Sequence, residues 1–510
     1  MAAAYAAQEE GAEVMLIDRG PIGLGSNSAL SNGVFGGGNT LSDQEDFIKD
    51  TLHVGRGVNN EPLVRRVAKS APTAFDFLRS LGCAVQATSN FYHVVKPPRP
   101  DIIPGVSLVK KLAEVIRGLG RVHLLTGFYV TDILRDEKKA YGVKGFNAHG
   151  KAMTIYAPAI VLAMGGAGAV YQLHDNQRNS LGQGYYLSAK MGLQLRDMEF
   201  VQFIPVVMTE PHLPRMLLFS PYPEGTRIIN GADEDLIEKH GMGDINDVVR
   251  RKRDELSILL FQESRKGPIY IDYRAVPPSA WADHPLALLT KKKFDFRRNP
   301  VGISPAAHFF MGGVEVDDGG QTEFPGLFAC GEIAWGLHGA NRRAGNALTE
   351  CIVLGNLAGR NAIAYASARP SDLRIEEEQN AFVASKLSGL GLFGEIRDAI
   401  KRVAWENAGI VRSESGLKEG LLMISKINGR LRAAEPGNMR QKVIKHDLIS
   451  ASFTVRAILL ASLARTESRG SFNRSDFPTE DDANWLKNSC LRYSLERDEF
   501  YLDHYKVLKT

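Results

Sequence analysis

Three cationic residues, His308, Arg342 and Arg251, sit in segments that could do chemistry on an anion. His308 begins the run HFFMGG, Arg342 lies in HGANRRAG, and Arg251 closes NDVVRR. The planar fork of arginine grips a carboxylate with two parallel hydrogen bonds. Between His308 and Arg342, PGLFACGE reads as a strand that ends in the turn Gly331-Glu332. Residues 159–168 (AIVLAMGGAG) read as a buried strand ending at Gly165 and Gly166, and the two strands are expected to be partners. Strands that end in glycine turns are where open α/β sheets bind ligands. Taken alone, Arg250-Arg251-Lys252-Arg253 reads as a solvated basic helix face rather than as a site.

These residues need a scaffold. Residues 2–11 read as a helix and residues 13–18 (EVMLID) as a strand ending at Asp18. In a dinucleotide fold such an acid accepts hydrogen bonds from the adenosine ribose. That fold also needs a first strand and a GxGxxG turn, whose N–H groups hold the pyrophosphate. The sequence starts about where the third glycine would just have passed, so Met1 is expected to be an internal methionine, a misplaced start or a fragment boundary. Residues 25–39 (GSNSALSNGVFGGGN) are small enough to let backbone approach a ligand closely. Residues 61–81 place Leu63, Val64, Val67, Ala71, Phe75 and Leu78 at helical spacing. From 206 to 304 the glycine turns give way to proline, charge and helical stretches, and residues 395–427 and 447–465 are amphipathic with a helical period.

The bulk composition removes several alternatives. A net charge of +4 with scattered Lys and Arg gives no footprint for nucleic acid. The four cysteines, Cys83, Cys330, Cys351 and Cys490, lie far apart, with no spacing that suggests zinc or an iron–sulfur cluster; they read as buried thiols. No apolar run reaches the ~18 residues of a membrane span.

The run 307–355, with HFFMGG, PGLFACGE, HGANR and GNAL in that order, resembles the flavoprotein subunits of succinate dehydrogenase and fumarate reductase. L-aspartate oxidase belongs to the same family. ENAGIVRSESGLKEGL (406–421) and RTESRGSFNRSDFPTEDDANWLKN (465–488) resemble its C-terminal domain, so the likeness covers nearly the whole chain. The resemblance implies an α/β fold: a Rossmann-like FAD-binding domain split in sequence (1–205 and 305–368), an inserted α+β capping domain (206–304), and a C-terminal helical domain (369–510). It implies FAD exchanging hydride with a carbon–carbon bond beside a carboxylate. Ser26, Asn27, Ser31, Asn32 and Gly33 would lie against the flavin, Gly165, Gly166 and Gly331 would line it, and Glu332 would bind ribityl or ribose hydroxyls. Asn346, Ala347 and Leu348 would line the ring, with Ala347 where a serine is usual. Some members carry a covalently attached histidine at the position of Asn27, so FAD here should be non-covalent. Arg251 would be the proton donor, His308 would bind substrate, and Arg342 would clamp its carboxylate. Arg343 replaces a family leucine and is expected at the solvent or in a salt bridge. The likeness also implies an iron–sulfur electron-transfer partner and a cytoplasmic location, peripheral to a membrane through that partner.

The chain departs from the family at the far end of the substrate. Ile204 stands at the histidine of QFHPT, while Leu218, Phe219 and Tyr222 replace the Thr, Glu and Arg of TExxRGEGG. A carboxylate buried there without donors would cost several kcal/mol. The expected substrate has one activated carboxylate and a less polar tail, as in an enoate. Alternatively, Thr209, Glu210, His212, Arg215 or Arg227 supplies a second clamp. The rival readings are an L-aspartate oxidase, an adenylylsulfate reductase-like flavoprotein, and a non-catalytic paralogue or assembly subunit.

Overall fold

The computed structural model describes residues 1–88, 92–369, 373–381 and 390–509. Two parallel strand pairs carry the dinucleotide-binding end. Val14–Asp18 runs beside Val122–Thr126, with Asp18 opposite Thr126. Ile160–Leu162 runs beside Leu327–Ala329, with Leu162 opposite Ala329. The second pair joins two stretches separated by the whole insert, so the domain is split as expected. Ala2–Glu9 and Asn346–Ser367 pack against each other beside these strands.

The helix expected over 61–81 spans Glu61–Ser80. Asn60 caps it through Leu63 N–H, proline stands in its first turn, and the six apolar positions named above are all buried. The insert has its own core, including Val206, Ile228, Leu260, Ile271, Trp281 and Phe296. That core lies on an antiparallel sheet with the order Val201–Met208, Val301–Phe310, Ile269–Asp272, Arg227–Asn230. Its two longest strands run across positions 205 and 305, so the site-bearing strands belong to both neighbourhoods at once.

Helices Leu390–Asn407, Glu414–Ala433 and Met439–Ala464 pack together. Met439–Ala464 is long and apolar enough to cross a membrane, yet most of its apolar stretch is buried inside the protein. The region from 369 onward is more than helices. Arg374–Ala381 extends the sheet beside Lys151–Tyr156, and the hairpin Lys487–Ser494 with Glu499–Lys506 extends another beside Leu195–Arg196. The outer hairpin strand alternates exposed and half-buried residues, the period of an edge strand rather than a helix.

Candidate active site

The Val201–Met208 and Val301–Phe310 strands pair with Gln202 opposite Phe309 and a register shift after Gln202. Buried Gln202 holds the HGANR turn: its Nε2 donates to Asn341 Oδ1 (2.7 Å) and to the Arg342 carbonyl (2.9 Å), and its Oε1 accepts from Arg342 Nε (3.1 Å). The guanidinium lies 4.8 Å above the Phe309 ring. From the same strand, His308 places Nδ1 2.7 Å from Asp175 Oδ2. Asp175's charge also acts on Arg342, so the His308–Asp175 pair and Arg342 share one space. With Nδ1–H donating to the carboxylate, Nε2 is the ring nitrogen available to a ligand.

Arg342 is buried, and among the described residues it makes no ion pair. Burial first, and the charge of Arg253 second, pull its pKa down to about 9, while Glu332, Asp175 and Glu350 act the other way. A guanidinium this destabilised favours any anion that reaches it.

Arg251 is not part of this space. Its side chain is 72% exposed and pairs only loosely with Asp247, at 3.9 Å. The short helix Ile245–Arg251 ends there, Lys252 breaks it (φ −122°, ψ 35°), and Arg253–Ser264 begins on a new axis. The break turns Arg253 inward, where its charge is felt at Arg342, Tyr222 and Asp254. Asp254, hydrogen-bonded by Asn341, is pushed up to about 6 by burial. Of the two arginines flanking Lys252, it is Arg253 rather than the expected Arg251 that lies near Arg342. Arg343 is buried rather than solvent-facing and lies 3.5 Å from Asp50.

The glycine turns form a second cluster beside the first. Glu332 is buried, accepts Phe310 N–H (3.2 Å) and Asn27 Nδ2 (3.1 Å), and is raised to about 7 by burial. Asn27 also donates to Asn176 Oδ1 (2.7 Å) and accepts Gln177 N–H (3.0 Å). A Cβ on Gly166 would come within 2.2 Å of Glu332 Oε1, whereas Gly165, at φ +73°, faces open space. Gly331, at φ +75°, makes the opposite turn. Asp18 accepts Gly20 and Gly23 N–H, and Ser26 Oγ donates to the Gly23 carbonyl.

Three loop residues are committed elsewhere. Ser31 Oγ bonds the Ser28 carbonyl, Asn32 Oδ1 meets His284 Nε2 of the insert at 2.6 Å, and Gly33 packs against Pro104. Buried Asn346 starts the Asn346–Ser367 helix and donates to Thr51 Oγ1 (2.9 Å). Ala347 packs on the cluster of Phe309 and Met311, and Leu348 joins the main core.

At the far end, Ile204 is buried with Val207 and Ala306, against Leu173 and Leu217. Leu218, Phe219 and Tyr222 are buried as well. Asn246, in place of the family arginine, clamps the Tyr222 backbone through N–H and C=O. Of the alternative clamps, Glu210 accepts Gly302 N–H, and Arg227 is held by Asp272 and Asp233. Arg215 donates to the Gln172 carbonyl (2.6 Å). Sequence reasoning passed over Arg253, Asp175, Asn176, Asp254 and the structural task of Gln202. Arg253 and Asp254 were hidden in the charged run 250–255, and Asp175 and Asn176 in the polar turn 174–178.

Residues 1–348 match the family described as FAD binding domain, and residues 397–510 match fumarate reductase flavoprotein C-term. The chain belongs to this flavoprotein family. It is 29% identical to a fumarate reductase (CoM/CoB) chain of Methanothermobacter marburgensis, covering 92% of this protein and 90% of that one. It is 27% identical to an uncharacterised FAD-dependent oxidoreductase of Methanocaldococcus jannaschii, covering 92% and 91%, and 29% identical to L-aspartate oxidase of Agrobacterium fabrum, covering 92% and 88%. Its fold matches a quinol-fumarate reductase solved with menaquinol molecules, with a TM-score of 0.87 and 24% identity over 100% of this chain and 96% of that one.

The flavoprotein's cofactor is FAD. The residues present suit it: the positive-φ turn at Gly165 leaves room that a side chain would fill, Gly331 makes the facing turn, and Glu332 is a buried acceptor beside them. A carboxylate has lone pairs for more donors than the two Glu332 now holds.

Proposed function

We propose that this flavoprotein reduces, or in reverse forms, a carbon–carbon double bond next to a carboxylate. Bound FAD, held non-covalently beside Asn27, supplies the hydride chemistry. Arg342 grips the carboxylate and stabilises the charge that develops on it. His308, oriented by Asp175, donates or accepts through Nε2 at the same end. Arg253 delivers the proton to the second carbon, the role that motif spacing gives to Arg251. The insert acts as the capping domain and excludes water from the reacting atoms. The observation that carries this reading is the buried Arg342 guanidinium with no carboxylate partner among the described residues and a second cation, Arg253, near it.

The substrate is an enoate whose middle lies against Ile204, Leu217 and Leu173, rather than plain fumarate. An iron–sulfur subunit carries the electrons, and the chain works in the cytoplasm, peripheral to a membrane through that partner. An amino-acid oxidase would need an acceptor for the α-ammonium group. Asp175, already engaged by His308, is the nearest candidate, which makes that reading second.

The test is to photoreduce the purified holoprotein without oxygen and follow flavin reoxidation on adding fumarate or a panel of monocarboxylate enoates. Fast reoxidation by the enoates and slow reoxidation by fumarate is expected. The reverse order would overturn the altered-pocket reading.

A further inference from the structure

His338 opens HGANR four residues before Arg342 and has no part in the chemistry proposed for the site. Its Nε2 lies 3.0 Å from Glu350 Oε2, and both side chains are buried. Glu350 stands one turn into the helix Asn346–Ser367, where the neighbouring Thr349 Oγ1 donates to the Gly36 carbonyl (2.6 Å) and fixes that turn. The second polar atom of each partner, His338 Nδ1 and Glu350 Oε1, is buried with no hydrogen-bond partner among the described residues. A buried polar pair left half-satisfied does little for stability. What is left for it is to fix geometry.

The geometry it fixes leads to the substrate arginine. The His338 ring meets the Phe309 ring edge-on, with centroids 4.9 Å apart and planes at 88°. Arg342 lies over that same Phe309 ring. Its guanidinium is otherwise held by two neutral acceptors, Gln202 Oε1 through Nε and the Arg343 carbonyl through Nη1 (3.2 Å). Neither bond uses Nη2, the last nitrogen of the fork. A phenyl ring turns easily about its last torsion unless its neighbours stop it. Other side chains of the Phe309 cluster, Met311 and Phe472 among them, are apolar. The His338 ring, unlike them, is pinned by a hydrogen bond.

We propose that His338, held by Glu350, is a positioning residue for carboxylate binding. It fixes the Phe309 ring, and that ring sets the plane in which Arg342 offers its fork. This rests on the reading of Arg342 as the carboxylate clamp. Edge-on ring contacts and cation–π contacts are each weak. A carboxylate gripped by both prongs of a fork tolerates little misalignment, so a small turn of the platform is felt as lost affinity before it is felt as lost fold.

The test uses the holoprotein, with hexanoate titrated calorimetrically and hex-2-enoate as the oxidant of photoreduced flavin. His338→Leu combined with Glu350→Met removes both partners, so no polar group is stranded and the fold is kept. This double variant should bind hexanoate about fivefold more weakly or worse and raise KM in proportion, with flavin content unchanged and kcat altered less. Phe309→Leu should do the same, and adding it to the double variant should cost nothing further, because the effect of His338 passes through that ring. Glu350→Gln keeps an acceptor for His338 and should lose less than Glu350→Met. Hexanoate affinity within about twofold of the parent in the double variant, or losses that simply add when Phe309→Leu is included, would overturn the assignment. So would a lower melting temperature with KM unchanged, the mark of a purely structural pair. If the parent protein still binds hexanoate and hex-2-enoate reoxidises its flavin, the proposed reaction stands and only the positioning role falls. If neither occurs, the reading of Arg342 falls with it.

Discussion

Two regions of this protein bury arginines, and they do so under opposite rules. In the C-terminal region, Arg465 meets Glu199 at 2.8 Å and Glu467 at 2.7 Å, Arg469 grips both oxygens of Glu467, and Arg474 pairs with Asp476. Remaining donors go to carbonyls of Trp485, Lys487, Ser462 and Arg465. At Arg465 the carboxylates outweigh burial and hold it above its ordinary pKa. Around Arg342 burial wins and the pKa falls. Buried Arg412 is lowered too, but the Gly409 and Glu199 carbonyls and Ser462 Oγ hold it in place, whereas a buried guanidinium beside a substrate space, without a carboxylate of its own, favours an anion from outside. The lesson reaches back to the motifs. RTESRGSFNRSDF, as strong a family signature as HGANR, places its arginines in the first kind of setting.

The comparison breaks most sharply if the two kinds of arginine respond alike to substitution. Arg253→Ala should cut turnover by about 10²–10⁴-fold, the usual worth of a positioned proton donor. Exposed Arg251→Ala should leave turnover within about twofold. Steady-state rates and a thermal melt on both variants check this, and equal losses would restore Arg251 to the site. Glu467→Ala should act on folding instead. It strands Arg465 and Arg469 together, and removing one partner of a buried pair costs about 3–5 kcal/mol, readable from urea denaturation.

The smallest expected effect is a pH dependence. Glu332 is raised from 4.5 to about 7 in the folded protein. Its contribution to stability is full below about pH 4.5 and is lost as pH rises through 7, a decline on the order of 3 kcal/mol at most. Urea midpoints measured across that window in flavin-free protein should show the decline, and Glu332→Gln should flatten it.

How much could be read from the sequence depended on whether the signal was local. The Glu61–Ser80 helix was legible because six apolar residues and a proline repeat one period. The Ile160–Leu162 and Leu327–Ala329 strands were legible because each is a short apolar run ending in glycine. Arg253 was not, since four basic residues in a row carry no record of a helix break at Lys252 that exchanges the inward and outward positions. The role of Asp175 was hidden because its partner lies on a strand far along the chain. Asn32 is expected against the flavin by resemblance, and its bond to His284 of the insert was not legible in the sequence.

The parallel pairing of Ile160–Leu162 with Leu327–Ala329 also sets a timetable for synthesis. The first strand leaves the ribosome long before its partner exists, and closing so long a loop carries an entropy cost that only late contacts offset. The insert, with a core of its own, can fold meanwhile. Glu332 and the Gly331 turn, which directly follow the later strand, arrive only after the insert. The glycine-turn cluster around Glu332 is therefore completed only after the whole insert has been made.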